Sequence, residues 1–412
     1  MIFSIALFII LVIVVLRRPY MGVVITIASL SVTEILPTIP GVSSIVSLIG
    51  GVTLVGFLLE RMMKKTADQA RLKLPMALIL GFLFLVWLLT NFSAAMMPAP
   101  DERVWMFTYL QLWALALLSF LLLETPEQIH VLMWCFFLAG LVSAVYAGTE
   151  GVIGSTVNTS VRSEGLASGV NNAARYFLIA LMFGYFLLIE QKKRVLQIFL
   201  VVGMMVILYG VFVTVSRTGL LLLITGISLL FFQNLGTKNR GYVFVFTLMA
   251  FVVVWAMADN ITLILQGISG SILAGTDTVG IRYGLWQAGL RMWFDHFIAG
   301  VGIGQFSARL PFYGWDLLQP RYLVLGPHNM YIGVLAETGL VGFLFFAAMF
   351  VVSLRSLLQA SRSDQPKVKA LAMTWIVILV LILMAGVTKQ DQYDKLTWMV
   401  VGVSAAIGRM NA

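Results

Sequence analysis

Apolar runs long enough to cross a lipid bilayer recur along the whole chain. A helix needs about 20 such residues to cross about 30 Å of hydrocarbon, and lipid offers the backbone no outside hydrogen-bond partner. Transmembrane strands would instead alternate apolar and polar residues. We therefore predict about thirteen membrane-spanning helices, at 2–16, 20–36, 42–59, 74–91, 104–123, 129–148, 173–190, 195–214, 218–233, 241–257, 329–354, 370–387 and 396–410.

The composition supports this interpretation and excludes other classes of protein. With 60% hydrophobic and 11% charged residues, the chain falls far below the charged fraction of about 25% that is typical of soluble domains. The formal net charge of +9 does not indicate nucleic acid, because the basic residues lie in short loops between spans, where they orient a protein in the bilayer. Membrane lipids, not nucleic acid, are the expected surroundings.

The basic residues predict which loops face the cytoplasm. In the predicted topology, one side of the membrane holds the basic loops near 17–18, 61–73, 192–194, 238–240 and 355–369. The positive-inside rule makes this side cytoplasmic. The loops at 92–103, 149–172, 258–328 and 388–395 then lie outside. Thirteen spans place the N terminus outside; if the first two stretches form one span or a re-entrant pair, twelve spans place it inside. Residues 1–16 lack the features of a cleavable signal peptide and are predicted to be the first span.

The predicted fold class is an all-α polytopic membrane protein with a long, partly helical extracytoplasmic loop. We expect a single membrane domain with three parts: an N-terminal bundle of transmembrane helices at 1–257, the long loop with interfacial helices at 258–328, and C-terminal transmembrane helices at 329–412. The loop at 149–172 is rich in Gly, Ser and Asn and is predicted to be flexible surface chain, either a connector or a substrate contact.

The long loop carries arginines and no lysine. Its four are Arg282, Arg291, Arg309 and Arg321, and the planar guanidinium suits phosphate or carboxylate because it donates two parallel hydrogen bonds. Residues 281–294 have helical character with aromatics, as interfacial helices do. On a straight helix, Arg282 shares a face with Trp286, whereas Arg291 points the opposite way, so the two arginines cannot serve one phosphate.

Three residues are the main candidates for chemistry. Arg217 stands where one span ends and the next begins, and is either functional or snorkelling to headgroups. Arg282 is either a phosphate clamp or an interfacial anchor. His328 follows Pro327 and opens a span, where the helix dipole disfavours the imidazolium form and favours a neutral general base; a histidine without chemistry at the helix start is the alternative.

Other motifs predict no further chemistry. The sequence AGVGIGQF (299–306) follows no strand, so its glycines are expected to make turns and not a dinucleotide site. No metal or nucleotide motif occurs, and we predict no cofactor and no metal. His130 and His296 are interpreted as structural. Asn329 is expected either to orient His328 or to cap the helix, and Glu337 to be a structural ion-pair partner.

The order of three segments resembles the O-antigen ligase and polymerase superfamily. They are VSRTG (215–219), GIRYGLWQAGLRMWFDHFIAGVGIGQF (280–306) and PHNMYIGVLAETGLVG (327–342), with the long outer loop late in the chain. The resemblance covers roughly residues 150–350 and implies a fold similar to the membrane-embedded, GT-C-like glycosyltransferases. It also implies that Arg217, Arg282 and His328 are catalytic. Candidate substrate-binding residues are Arg217, Arg282, Arg291, Arg321, Arg162 and Asn329.

The resemblance implies a glycosyltransferase of the bacterial inner membrane whose active site faces the periplasm. The expected donor is an undecaprenyl pyrophosphate-linked glycan, and the expected acceptor is lipid A-core, as for an O-antigen ligase. A polymerase of O-antigen or exopolysaccharide and a protein O-oligosaccharyltransferase share this chemistry and stay open. A lipid-linked glycan transporter is a more distant alternative, because it would carry charges near the membrane midplane.

Overall fold

The computed structural model describes residues 2–36, 45–63, 73–94, 101–154, 163–167, 169–214, 216–234, 240–256 and 278–411. All regular elements in these ranges are helical. The α-helices are α1 (Ile2–Arg17), α2 (Tyr20–Ala28), α3 (Ile45–Met63), α4 (Met76–Ala94), α5 (Asp101–Leu122), α6 (Pro126–Gly154), α7 (Val170–Glu190), α8 (Arg194–Val213), α9 (Arg217–Asn234), α10 (Arg240–Ala256), α11 (Thr278–Asp295), α12 (Phe306–Tyr313), α13 (Met330–Ala360), α14 (Pro366–Ala385) and α15 (Lys395–Met410).

Each predicted span overlaps one of these helices. The bounds differ by six residues or fewer, except that α2 ends at Ala28, eight residues before the end of the predicted span 20–36. Eight helices of the described ranges are long and apolar enough to cross a membrane, and shorter apolar helices accompany them. The prediction of an all-α polytopic membrane protein is confirmed. A helix also covers 281–294, as predicted, because α11 runs from Thr278 to Asp295.

The first two stretches form two separate helices and not one span. The chain turns at Arg18 and Pro19 between α1 and α2, and α2 continues as a 3-10 helix (Ser29–Ile35). The amide of Glu34 at its far end donates to the carbonyl of Leu166 (3.0 Å). This second stretch therefore runs between opposite ends of the bundle, as the predicted topology with thirteen spans requires.

The bundle has two chemically different ends. At one, which we call the basic end, Lys367 pairs with Glu127 (2.8 Å), and the Nη2 of Arg409 donates to the carbonyl of Leu123 (3.1 Å). At the other, which we call the loop end, lie residues 278–329 and the connection 386–394 between α14 and α15. That the basic end is the cytoplasmic one stays a prediction from loop charge.

Helix α7 forms the centre of the bundle. Its residues from Ala173 to Leu188 are all buried, and it packs against α6, α8, α9 and α14. A helix that is buried on every side must be apolar on every side, and this explains why its sequence shows no polar face. The start of α7 and of its neighbour α9 both open onto the loop end.

The prediction that 149–172 is flexible surface chain is wrong for the parts that the structure describes. Helix α6 continues to Gly154 and α7 begins at Val170. Between them, Ser163, Leu166 and Ala167 are buried, and the amide of Leu166 donates to the Oγ of Ser143 (3.0 Å). The polar and glycine residues of this segment form a tight buried turn here and not a solvated loop.

The glycine segment 299–306 is docked against the start of α13. Gly300, Gly302 and Gly304 all have positive φ, of 74°, 105° and 69°, so the prediction that they make turns is confirmed. The turns let Val301 N donate to the carbonyl of Ala336 (2.8 Å) and Gly302 N to that of Glu337 (3.0 Å). These carbonyls are free to accept because α13 is kinked at Gly339 (φ 66°, ψ −171°).

We expect Gly300→Ala to destabilise the protein. A Cβ at residue 300 would lie 2.4 Å from the carbonyl carbon of Glu337, and a positive φ costs an alanine about 1–2 kcal/mol before this overlap is counted. Thermal unfolding in detergent should show a lower midpoint for this variant. Gly241→Ala is the matched control, because a Cβ there meets nothing within 4 Å; equal midpoints for the two variants would contradict the docking argument.

Candidate active site

His328 stands immediately outside the first turn of α13. Its φ is 46°, a conformation that turns the chain sharply between Pro327 and Asn329. Asn329 is the N-cap: its Oδ1 accepts from the amides of Tyr331 (2.9 Å) and Ile332 (3.0 Å). Of the two roles considered for Asn329, the structure shows the helix cap. His328 is thus held at the positive end of α13 while its ring stays out of the capping bonds.

Arg217 is the first residue of α9, at the junction of two spans where the sequence predicts it. Its neighbours tie this corner to other parts of the loop end. Ser216 Oγ donates to the Oδ1 of Asn171 (3.0 Å), and the hydroxyls of Thr218 and Thr388 are 3.1 Å apart. The backbone on both sides of Arg217 is therefore anchored to α7 and to the 386–394 connection.

Arg282 lies on α11, whose inner face packs on the bundle. Leu285, Ala288 and Met292 of that face are fully buried, and a Cβ on Gly289 would overlap Ile332 of α13. This packing brings Arg282, half-buried, towards the start of α13. Two elements far apart in the sequence thus place an arginine and a histidine on the same side of the bundle end.

Arg282 interacts electrostatically with both of the other candidate residues. Burial lowers the pKa of His328, and the nearby charge of Arg282 lowers it further. Burial likewise lowers the pKa of Arg282, and the charge of Arg217 adds to this effect. Arg282 therefore lies within electrostatic range of both Arg217 and His328, and the imidazole favours its neutral form at neutral pH.

This group has no acidic partner in the described part of the chain. Neither arginine, nor the ring of His328, has a hydrogen bond or ion pair with a described residue. Half-buried guanidiniums that repel one another are costly unless an anion joins them. The arrangement can bind a phosphate or pyrophosphate group, with a neutral nitrogen base beside it.

The remaining candidate residues lie elsewhere or outside the described ranges. Arg291 is exposed and holds Asp316 with two bonds, Nη1 to Oδ1 (2.6 Å) and Nη2 to Oδ2 (3.0 Å). Arg321 is exposed, with its guanidinium over the ring of Tyr322 at 4.7 Å. Arg282 and Arg291 thus have different surroundings, in keeping with the helical period. Arg162 lies outside the described residues.

The expectation that Glu337 is an ion-pair partner is wrong for the described residues. Its Oε2 accepts from the hydroxyl of Tyr393 (2.6 Å), and its Oε1 accepts from the amide of Phe306 (3.3 Å). The carboxyl group is buried, and it joins α13 to the glycine segment and to the 386–394 connection. A neutral hydroxyl and a backbone amide take the place of the expected cation, because the 386–394 connection presents the hydroxyl of Tyr393 and the glycine segment presents the amide of Phe306.

Sequence reasoning missed a buried ion-pair cluster next to the site. Arg175 of α7 places Nη1 at 2.6 Å from Asp391 and Nη2 at 2.6 Å from Asp394, and the Nζ of Lys389 is 3.4 Å from Asp391. Two cations and two acids make this cluster neutral, unlike the group around Arg282. An arginine inside a predicted span, with two acids in the loop 388–395, was the available sequence signal.

The cluster holds the 386–394 connection against both sides of the site. The amide of Met330 donates to the carbonyl of Gly386 (2.7 Å), two residues after His328. Thr388 contacts Thr218, next to Arg217. A short connection thus contacts the neighbours of two of the three candidate residues, and Arg175 anchors its acidic end.

Comparison with known proteins points to one family. The family model described as O-antigen ligase matches residues 202–347, a stretch that includes Arg217, Arg282 and His328. The match supports the O-antigen ligase and polymerase superfamily and a role in the transfer or polymerisation of glycans; it does not separate the two activities. No curated protein matches the chain.

We expect Arg282→Gln to raise the pKa of His328. The substitution removes a positive charge that disfavours the imidazolium form. Carbon-13 NMR of histidine-labelled protein in detergent would follow the titration, with His328→Gln assigning the signal among the three histidines. Arg309→Gln, another arginine of the same loop, is the control. An unchanged His328 titration in the Arg282 variant would mean that the two groups do not interact.

Proposed function

We propose that the protein is a glycosyltransferase that moves O-antigen polysaccharide from undecaprenyl pyrophosphate to a lipid A-core acceptor. The reaction takes place at the loop end, on the periplasmic face of the bacterial inner membrane, without metal or other cofactor. The observation that carries the proposal is the grouping of Arg217, Arg282 and His328 without an acidic partner among the described residues. The match to the O-antigen ligase family over residues 202–347 supports the same class of reaction.

The two arginines bind the pyrophosphate of the donor. Pyrophosphate is an activated leaving group, and its charge increases as the bond to the sugar breaks. Guanidinium groups at fixed positions in a partly desolvated site stabilise that charge without rearranging. Electrostatic stabilisation of this kind is usually the largest single contribution to the rate enhancement of an enzyme. Mutual repulsion between Arg217 and Arg282 in the free enzyme is relieved when the anion binds between them.

His328 removes the proton from the acceptor hydroxyl. Its lowered pKa keeps the ring neutral, so that a nitrogen lone pair is available as a general base. The acceptor oxygen forms a bond to the anomeric carbon, the bond from that carbon to the pyrophosphate oxygen breaks, and the bonding electrons leave with the pyrophosphate. One direct displacement of this kind inverts the anomeric configuration.

We expect substitution of the three residues to abolish most transfer while the protein still folds. Arg217→Gln and Arg282→Gln should each lower the rate about 10²- to 10³-fold, as loss of a charge-stabilising donor does. His328→Gln should cost about 10²- to 10⁴-fold through loss of general base catalysis. The assay uses purified protein, undecaprenyl pyrophosphate-linked glycan and lipid A-core, with EDTA present throughout. Arg309→Gln is the matched control and should keep most of the activity.

The same assay separates the proposed reaction from its alternatives. Glycan that appears on lipid A-core with the wild type, and not with the three variants, supports the ligase. Glycan chains that lengthen on the lipid carrier identify a polymerase, and glycan on an added protein acceptor identifies a protein O-oligosaccharyltransferase. Carrier that binds without any transfer would instead support the transporter. EDTA that abolishes the reaction would contradict the metal-free mechanism.

We expect the acid limb of the pH profile to lie below the ordinary histidine pKa of about 6.5. The active form of His328 is neutral, and a lowered pKa means that protonation, and with it the loss of activity, occurs only at lower pH. The measurement is kcat/KM for transfer between pH 4.5 and 8. An acid limb centred above pH 6.5 would show that His328 is not the group whose protonation limits the rate.

A further inference from the structure

A cavity of about 330 Å³ opens at the basic end, far from the candidate active site. Three helical corners form it: the turn between α1 and α2, the last turns of α3, and the turn between α5 and α6. Its lining combines apolar and polar side chains. The apolar ones include Phe57, Leu121 and Leu122, and the polar ones include Arg17, Arg18, Arg61, Glu60, Glu124 and Gln128.

The arginines of this cavity differ from three other basic residues of the same end. Lys367 is paired with Glu127, His130 with Glu190, and Arg409 donates to the carbonyl of Leu123. In contrast, Arg17 and Arg18 have no hydrogen bond from their side chains to any residue that the structure describes. Charge that only orients a helix in the membrane gives no reason for such residues to surround one cavity.

Arg61 completes the basic side of the cavity from a separate helix. It lies near the C-terminal end of α3, and its guanidinium stands over the ring of Phe57 at 5.5 Å. This contact places the guanidinium beside the apolar part of the lining, and its N–H donors make no hydrogen bond to a described residue. Guanidiniums from two corners can therefore approach one phosphate from two sides.

The cavity also carries carboxylates, so its chemistry is not that of a simple anion site. Glu124 is exposed, and its carboxylate makes no hydrogen bond or ion pair within 4.0 Å of a described residue, while its charge also acts on the nearby guanidinium of Arg409. Its position is set by the side chain of Gln128, whose Oε1 accepts from the amides of Glu124 (2.6 Å) and Thr125 (3.1 Å). An anionic group thus faces the same cavity as the three arginines.

The position of the cavity limits what can fill it. In a transmembrane bundle, helix ends and the turns between them lie at the level of the lipid headgroups. Basic pockets between transmembrane helices at this level bind phospholipid headgroups. A primary ammonium donates three hydrogen bonds to acceptors such as Glu124, whereas a quaternary ammonium donates none.

We propose that this cavity binds the headgroup of a zwitterionic phospholipid that carries a primary ammonium, as in phosphatidylethanolamine. The phosphate contacts Arg17, Arg18 and Arg61, the ammonium contacts Glu124, and the start of the lipid chains covers Phe57 and Leu121. This lipid site is separate from the glycan-transfer site and does not depend on the proposed function.

The test is native mass spectrometry of the purified full chain with three lipids that have the same acyl chains. These are phosphatidylethanolamine, phosphatidylcholine and phosphatidylglycerol. The variants are Arg17→Gln with Arg18→Gln, Arg61→Gln, and Glu124→Gln. The matched control is Lys192→Gln with Lys193→Gln, which removes two exposed charges of the same end but touches no residue of the cavity. Thermal unfolding confirms that each variant is folded.

We expect phosphatidylethanolamine to bind about tenfold more tightly than the other two lipids, since charge-assisted hydrogen bonds contribute about this much. The arginine variants should weaken binding of all three lipids. Glu124→Gln should remove only the preference for phosphatidylethanolamine, and the lysine control should change neither. Equal binding of the three lipids, tighter binding of phosphatidylglycerol, or equal losses in the arginine variants and the lysine control would each overturn the proposal.

Discussion

The docking of the glycine segment 299–306 on the kinked start of α13 is the constraint on which the loop end depends. At the kink, the carbonyls of Ala336 and Glu337 accept from the turn amides of Val301 and Gly302. These backbone groups are therefore not left without hydrogen-bond partners in an apolar environment. The carboxyl of Glu337 adds bonds to Phe306 and Tyr393. Because α11 precedes the glycine segment and His328 precedes α13, this one contact sets how both candidate residues approach each other.

Two kinds of charge group at the loop end behave differently for a physical reason. The Arg175 cluster is closed: its acids and bases compensate one another at short distance, so that burial is tolerated and the 386–394 connection is held in place. Removal of one partner from such a buried pair typically costs about 3–5 kcal/mol, because a charge is left uncompensated. The group of Arg217, Arg282 and His328 has no such compensation within the described residues, and that is the property expected of a site that awaits an anionic substrate. One cluster supports the structure, and the other is the group to which the proposed function assigns the chemistry.

Much of this arrangement follows from the sequence. The spans were predictable because lipid forces each crossing to be a continuous apolar helix, and the bounds of α7, α9 and α15 differ from the predicted spans by three residues or fewer. Arg217 and His328 were recognisable because each stands at a span end beside helix-breaking or polar residues. The loop 149–172 was misinterpreted because Gly and Ser occur both in solvated loops and in tight buried turns such as the one at Gly165, and composition does not separate them. Glu337 was misinterpreted because its partner Tyr393 is 56 residues away.

The sequence by itself determined the membrane class, the helices and the residue types available at each helix end, since all of these depend on local hydropathy and on the needs of the backbone in lipid. Only the tertiary structure decided which of the loop arginines acts electrostatically on His328, that Arg291 pairs with Asp316, and that Arg175 anchors the connection beside the site. Such pairings depend on packing between segments up to 219 residues apart. Because side-chain distance across a bundle is set by helix packing and not by position along the chain, no local pattern encodes it.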